Sequence, residues 1–358
     1  MYEETAYNEE RYWGGFSRDP VDLKNYQLPE WAIGPFSKYE GNPVFGPATE
    51  GWDRGRFGGG VHNGSVLRRG NKFYYIYRGE EPLREDYWTE NDQENAGFRD
   101  IDYICDIGVA VSDDGIHFNR LPEYSPFFRY GADVDFSFED ACVVRHDNTY
   151  YLFCNKWNWK DHNNPKTNGV FIATSKNLLH WTKIGLAFPD ANEIHRNACV
   201  LQNPQNEAVR VDGKFVMYIN NGIIAYSDDL IHWESKKVES FWPGGEGCFA
   251  LADYRDAAAN DILLFTGGHH TGHFYAIGEV RLSKDNPEHA IDWLLRPVLV
   301  ADPQFSWEDC RNPENPNELV SSYRDTIFFT GLTSYGGKWR VYYGGSEVYT
   351  CLAFADME

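Results

Sequence analysis

Residues 61–79 read VHNGSVLRRGNKFYYIYRG and residues 107–118 read IGVAVSDDGIHF. A polar opening leads into a short apolar run, and a turn leads into aromatic and β-branched residues. A third run then meets a polar turn and an aromatic. Such segments, bounded by turn residues, are strand signals. The order recurs downstream. The opening phrase returns as FEDACVV (138–144), HRNACVL (195–201) and GEGCFAL (245–251), and in degenerate form within WEDCRNPENPNELV (307–320). The second phrase returns as NTYYLFCNK (148–156), GKFVMYIN (213–220), DILLFTGGH (261–269) and KWRVYYGG (338–345). The third returns as GVFIATSKNLLHW (169–181), GIIAYSDDLIHW (222–233), YAIGEVRLSKDNPEHAIDW (275–293) and VYTCLAFADME (348–358). Five units of three or four strands, without a long amphipathic helix, predict an all-β chain folded as a five-bladed β-propeller. A pair of β-sandwiches is the alternative, but no Pro/Gly/Ser-rich linker divides the chain. Residues 1–40 carry no repeat phrase and are expected to pack on the outside or close the ring, with 41–358 forming one propeller. The polar stretch 80–100 reads as a long loop walling a pocket.

Composition narrows the function. The chain has 358 residues, 42% of them hydrophobic, with 23 Phe, 23 Tyr and 12 Trp, which is ample for a sizeable core. Its formal net charge of −21 repels phosphate backbones and anionic headgroups, so neither nucleic acid nor membrane is an expected partner. No apolar run is long enough to span a bilayer, and the acidic N-terminus MYEETAYNEERYWGG is not a signal peptide. The seven cysteines are scattered without a CxxC pair, which argues against a disulfide framework or structural zinc and for a reducing, cytoplasmic location. A homo-oligomer associating through outer loops is compatible with these features.

In a propeller the first strand of each blade lines the central channel, so its opening residues meet at the mouth. They are His62 with Asn63, Glu139 with Asp140, Arg196 with Asn197, Glu246, and Glu308 in the last blade. Carboxylates, an arginine and amides around one axis are costly to bury unless they bind one another or a ligand. Arg78 closes a strand as YRG and either holds a ligand or reaches solvent. HHTGH (269–273) looks like a metal cluster, but it follows a strand in a turn and lacks a defined fourth ligand. His269 or His270 is therefore expected to hydrogen-bond a polar ligand, and no metal is expected. SDDGIHF reads as a tight turn with an aromatic folding back. Trp157 falls at a strand end, where an exposed ring would stack on a sugar. Paired carboxylates, amides and aromatics in a deep pocket suggest a carbohydrate site.

Taken as a set, the phrases resemble glycoside hydrolase family 130, the mannoside phosphorylases and β-mannosidases. GNPVFGP (41–47) and VHNGSVLRRGNKFYYIYRG look like the family's opening blade. FEDACVV stands where the family has Glu-Asp-Pro-Arg, HRNACVL matches its Arg-Asn strand, FTGGHH its Tyr-His-Gly, and KWRVYYGGSEVYTCLAFAD its closing strands. The resemblance covers about residues 38 to 356. It implies a five-bladed propeller and inverting attack on a β-mannoside, with Asp140 as the acid. In the family's phosphorylases that acid is thought to act through a sugar hydroxyl. Asn63 and Arg78 would hold the mannosyl unit, with Glu139, Arg196, Asn197, His269, His270 and Trp157 as further substrate-binding candidates.

The departures bear on the nucleophile. Ala141-Cys142 replaces the family's Pro-Arg, and Ile219-Asn220 replaces a second arginine, while Glu246 brings a carboxylate. A carboxylate disfavours a phosphate site and suits a base that activates water. The expectation is thus an exo-acting, inverting β-mannoside hydrolase, Asp140 the acid and Glu246 or Glu308 the base, without a cofactor. The alternatives are a phosphorylase using inorganic phosphate as co-substrate, with Arg196 and His269 on the anion, and a catalytically silent glycan-binding propeller. Asn63 cannot serve as the first-blade aspartate of other five-bladed carbohydrate-active families.

Overall fold

The structure, a computed structural model, describes residues 27–55, 60–82, 103–128, 136–220, 222–238, 246–255, 258–267, 275–294, 297–302, 304–309 and 326–357, with the side chain of Glu246 outside the description. Each repeat unit forms one antiparallel sheet, and the five sheets make a five-bladed β-propeller. Strand β1 is Ser37–Lys38. The first blade holds β2 (Val61–Arg69), β3 (Lys72–Pro82), β4 (Tyr103–Ser112) and β5 (Asn119–Arg120). The second holds β6 (Phe136–His146), β7 (Thr149–Asn158), β8 (Gly169–Ser175) and β9 (Thr182–Leu186). The third holds β10 (Cys199–Val200), β11 (Arg210–Val211), β12 (Lys214–Ile219), β13 (Ile223–Ser227) and β14 (Trp233–Lys237). The fourth holds β15 (Glu246–Ala252), β16 (Asp261–Gly267), β17 (Ile277–Ser283) and β18 (Asn286–Trp293). In the fifth, β19 (Ile327–Tyr335), β20 (Lys338–Gly345) and β21 (Tyr349–Asp356) are joined by β1, which pairs with β21.

The core lies between blades. Leu67, Ile76 and Val109 of the first blade pack with Val143 and Leu152 of the second. Val144, Phe153, Val216, Tyr218 and Leu264 join the second, third and fourth. Phe265, Leu263, Phe329 and Trp339 join the fourth to the fifth, with Trp31 and Ile33 of the N-terminal segment added. Tyr75, Tyr77, Tyr342 and Leu352 close the ring. Each such side chain contributes about 1.5–3 kcal/mol by leaving water. Tyrosines are usable here because their hydroxyls find partners: Tyr75 shares a hydrogen bond with Thr350 Oγ1 at 2.7 Å, and Tyr342 donates to the Gly115 carbonyl at 2.8 Å.

The polar turns are structural, as their sequence suggests. Ser112 Oγ accepts from Gly115 N at 2.9 Å, and Asp114 Oδ1 accepts from Ile116 N and His117 N at 2.8 and 2.9 Å. Ser175 with Asn177, and Ser227 with Asp229, repeat the pattern.

What positions the site is a bulge near the start of the inner strands. Pairing of β2 with β3 skips between His62 and Ser65, and pairing of β6 with β7 skips between Glu139 and Cys142. Similar skips fall at Gly247/Phe249 and Phe329/Gly331. The extra residues bend the strand and re-aim a side chain. Asn63 and Asp140 take φ of 40° and 55°, and Asn197, just before β10, takes 55°. Left-handed backbone is strained for residues with a side chain and collects at functional sites.

Candidate active site

These strained residues meet at a cavity of about 400 Å3 whose wall includes Asn63, Arg78, Glu139, Asp140, Trp157, Arg196 and Asn197. Five of the residues expected at the mouth, Asn63, Glu139, Asp140, Arg196 and Asn197, are thus brought together from three blades, with Arg78 and Trp157 beside them. Asp140 is the centre of their hydrogen bonding. Its Oδ1 accepts from Asn63 Nδ2 at 3.0 Å and from Arg78 Nη1 at 3.4 Å, and its Oδ2 accepts from Asn155 Nδ2 at 2.9 Å. Three donors, one of them charged, thus surround the carboxylate.

Asn155 also accepts from Asn197 N at 2.8 Å and donates to Asn197 Oδ1 at 2.6 Å, tying the second blade to the third. Sequence reasoning missed it, yet a signal was present. NTYYLFCNK superposed on NKFYYIYRG puts Asn155 where Arg78 stands, and in the fold His62 pairs with Arg78 as Glu139 pairs with Asn155.

Arg78 does not reach solvent. It is 5% exposed and faces three carboxylates: Glu80 at 2.7 Å, Asp140 at 3.4 Å and Glu139 at 3.9 Å. Glu139 is buried beside Cys105, whose Sγ donates to Oε1 at 3.6 Å. Burial pushes Glu139 up to about 7; Arg78 pulls it down, while the charges of Asp140 and Glu80 push it further up. A proton held there relieves the crowding of negative charge around one guanidinium.

Other expectations are corrected. Glu308 does not face the cavity: its side chain is fully buried, Oε2 accepts from Lys38 Nζ at 2.5 Å and Asp302 N at 2.6 Å, and Oε1 accepts from Tyr343 at 2.7 Å. With both oxygens occupied and no water contact, it anchors β1 to the last blade instead of activating water. Trp157 lines the cavity without the exposed ring expected of a sugar platform, being 9% exposed and stacked on Trp159. The backbone of Glu246 opens β15, opposite Gly267, as expected of a channel strand. Its side chain, and His269 and His270 entirely, lie outside the described residues. Among the described residues no group of three or more His, Cys, Asp or Glu is placed to hold a metal.

The cavity wall adds Tyr103, His162, Tyr275 and Glu347, none of them singled out from the sequence. Glu347 sits with Ser346 in a two-residue turn closed by Val348 N on the Gly345 carbonyl at 3.0 Å, with φ of 51° and 56°. Such a turn usually takes Asn-Gly, so Ser-Glu after the apolar VYYGG was the available signal. The wall thus carries the cations Arg78 and Arg196 and the carboxyl groups of Glu139, Asp140 and Glu347. Arg196 is exposed at the rim.

No family model matches the chain. It is 25% identical over 342 residues to the 1,2-beta-oligomannan phosphorylase of Thermoanaerobacter sp. (strain X514), a match covering 88% of this chain and 95% of that protein. To the beta-1,2-mannobiose phosphorylase of the same organism it is 24% identical over 340 residues, covering 90% and 97%. One similar solved structure has a TM-score of 0.71 at 23% identity, covering 92% of this chain and 96% of the other. It comes from work stating that the GH130 family of mannoside phosphorylases contains glycoside hydrolases that target β-1,2 mannosidic linkages in Candida mannan. That likeness shows the shared fold.

Proposed function

We propose that the chain is a carbohydrate-active enzyme of glycoside hydrolase family 130 and, within it, a phosphorylase of β-1,2-linked mannosides that releases mannose 1-phosphate. The observation that carries this reading is Arg196. It is exposed at the rim of the cavity that holds Asp140, and among the described residues no carboxylate pairs with it. An available guanidinium beside an acid is what an anionic co-substrate requires. The sequence alone favours hydrolysis, because Glu246 and Glu308 stand as bases. The burial of Glu308 against Lys38 weighs against one of them, and both curated relatives are phosphorylases.

In this reading Asp140 is the general acid. Its proton passes to the glycosidic oxygen as the C1–O bond breaks, through a sugar hydroxyl if the family's relay holds. A phosphate oxygen attacks C1 from the opposite face, inverting the centre. Asn63, Asn155 and Arg78 stabilise the carboxylate that forms, so the charge appearing on Asp140 in the transition state meets donors already in place. Asn63 and Arg78 also bound the mannosyl position, and Arg196 with Asn197 bounds the phosphate.

Hydrolysis is the second reading, and Glu347 in the cavity wall is the observation that favours it. One assay separates them. β-1,2-Mannobiose is incubated with and without inorganic phosphate, and mannose is resolved from mannose 1-phosphate. Phosphate-dependent mannose 1-phosphate supports the proposal, whereas free mannose at the same rate without phosphate overturns it in favour of hydrolysis. Turnover by Asp140→Asn should fall about a hundred- to ten-thousandfold, with the thermal melt unchanged. An unaltered rate would remove Asp140 from the mechanism.

A further inference from the structure

Arg196 has a fixed backbone. Its carbonyl accepts from Asn220 N at 3.2 Å, and the next residue, Asn197, donates its N–H to Asn155 Oδ1 at 2.8 Å. Its side chain is held differently. The guanidinium carbon lies over the Trp157 ring, 6.0 Å from the centroid. Trp157 in turn stacks on Trp159, with centroids 5.4 Å apart and planes within 9°. Ile194 packs against the pair, and the two indoles are 9% and 8% exposed. The turn that carries Trp159 is itself pinned. Asn158 N donates to Asn168 Oδ1 at 2.5 Å, and Asn168 Nδ2 donates to the carbonyls of Asp161 and Asn164 at 2.7 and 2.9 Å. Two adjacent indoles are therefore spent on one wall of the cavity, and what they present at its rim is a cation.

We propose that Trp157 is a positioning residue for Arg196, and that the ladder Trp159–Trp157–Arg196 sets how tightly the site takes inorganic phosphate. The inference rests on the phosphorolytic reading above and adds a residue to it. A long exposed arginine loses rotamer freedom when it clamps an anion. A guanidinium already lying over an indole face loses less, and the attraction of the cation to the ring keeps it aimed at the cavity. Stacking on Trp159 fixes the plane of Trp157, so the support is rigid. The ladder acts on phosphate and not on the mannosyl unit, which is bounded by Asn63, Arg78 and Asp140 on other strands.

The test measures initial rates of mannose 1-phosphate release by the full chain. One series varies inorganic phosphate at saturating β-1,2-mannobiose, and the other varies the disaccharide at saturating phosphate. Trp157→Leu is expected to raise the phosphate KM about three- to tenfold, while kcat and the mannobiose KM stay within about twofold. Trp157→Phe, which keeps an aromatic face, should recover most of the loss. In an Arg196→Ala background, Trp157→Leu should change the phosphate KM no further. A rise in the mannobiose KM with phosphate KM unmoved would overturn the inference and make Trp157 a sugar contact. Equal effects of Trp157→Leu with and without Arg196 would overturn it also. Should Trp157→Leu fail to fold, the Trp157→Phe and Trp159→Phe variants with the Arg196→Ala cycle decide the same question. The wild-type protein is assayed first: rates independent of phosphate refute phosphorolysis itself, whereas phosphate-dependent rates with an unmoved phosphate KM in the variants refute only the ladder.

Discussion

Glu139 and Asp140 are neighbours in sequence that the bulge in β6 sends to different surroundings. Asp140 takes left-handed backbone and three donors, while Glu139 stays buried against Arg78 and Cys105. Glu139 is raised to about 7 from an ordinary 4.5, burial being the largest cause. A raised carboxyl means that the folded state keeps a proton which the unfolded chain releases between those two values. Stability from this group is complete below the lower value and is lost as pH rises through the upper one. Glu139→Gln, which resembles the protonated form, should flatten that fall: melts at about pH 5 and about pH 8 should differ less in the variant than in the wild type. A variant with the wild-type slope would show that another group titrates. Glu139→Gln should also leave the mannobiose KM nearly unchanged, because the side chain is committed to Arg78 and Cys105.

At the level of strands, the inner-strand bulge is the device that turns a packing element into a site, and it depends on small residues. A Cβ on Gly64 would lie 2.0 Å from the Ile76 carbonyl oxygen, so the backbones of β2 and β3 meet there with no room for a side chain. Gly70, in the turn of the same hairpin, has φ of 64° and open space around it. Gly70→Ala should therefore cost only the conformational penalty, about 1–2 kcal/mol, whereas Gly64→Ala should cost about 3–5 kcal/mol and displace Asn63 from Asp140. Urea melts of the two variants, with turnover measured on the folded fraction, check the order; equal costs would show that the bulge can relax. The blades were legible because each strand phrase carries its own turn and its own apolar alternation, information that is local. The bulge register was not, since a skipped residue is defined only against the strand that pairs with it. Asn155 was half legible: its place opposite Glu139, matching Arg78 opposite His62, follows from superposing two repeats, but nothing in NTYYLFCNK distinguishes it from a strand-ending amide. Trp157 was misjudged because its burial is made by Trp159 and Ile194, the latter on a different loop.

Over the whole molecule, ring closure explains the residue that sequence reasoning placed wrongly. WED in 307–309 reads as the mouth-facing opening of the last blade, and only the return of the N-terminal segment to that blade shows what Glu308 meets. Lys38, brought in by β1, is paired with Glu308 where the carboxylate is fully buried and the lysine 16% exposed. Tyr343 from β20 and the Asp302 N–H complete the carboxylate's partners, and Ser346 Oγ donates to the Glu308 carbonyl beside the turn that carries Glu347. The clamp thus ties the N-terminal segment, the fifth blade and one wall of the cavity together. Removing one partner of a buried ion pair leaves an uncompensated charge, which costs about 3–5 kcal/mol, whereas removing both leaves none. Lys38→Met should accordingly lower the melting temperature markedly, and Lys38→Met combined with Glu308→Gln should recover part of the loss. Glu308→Gln alone, assayed where it remains folded, should keep turnover within a few-fold of wild type. If Glu308→Gln instead melts normally but loses turnover by orders of magnitude, the residue is catalytic and the cavity opens further toward the fifth blade than its described wall indicates.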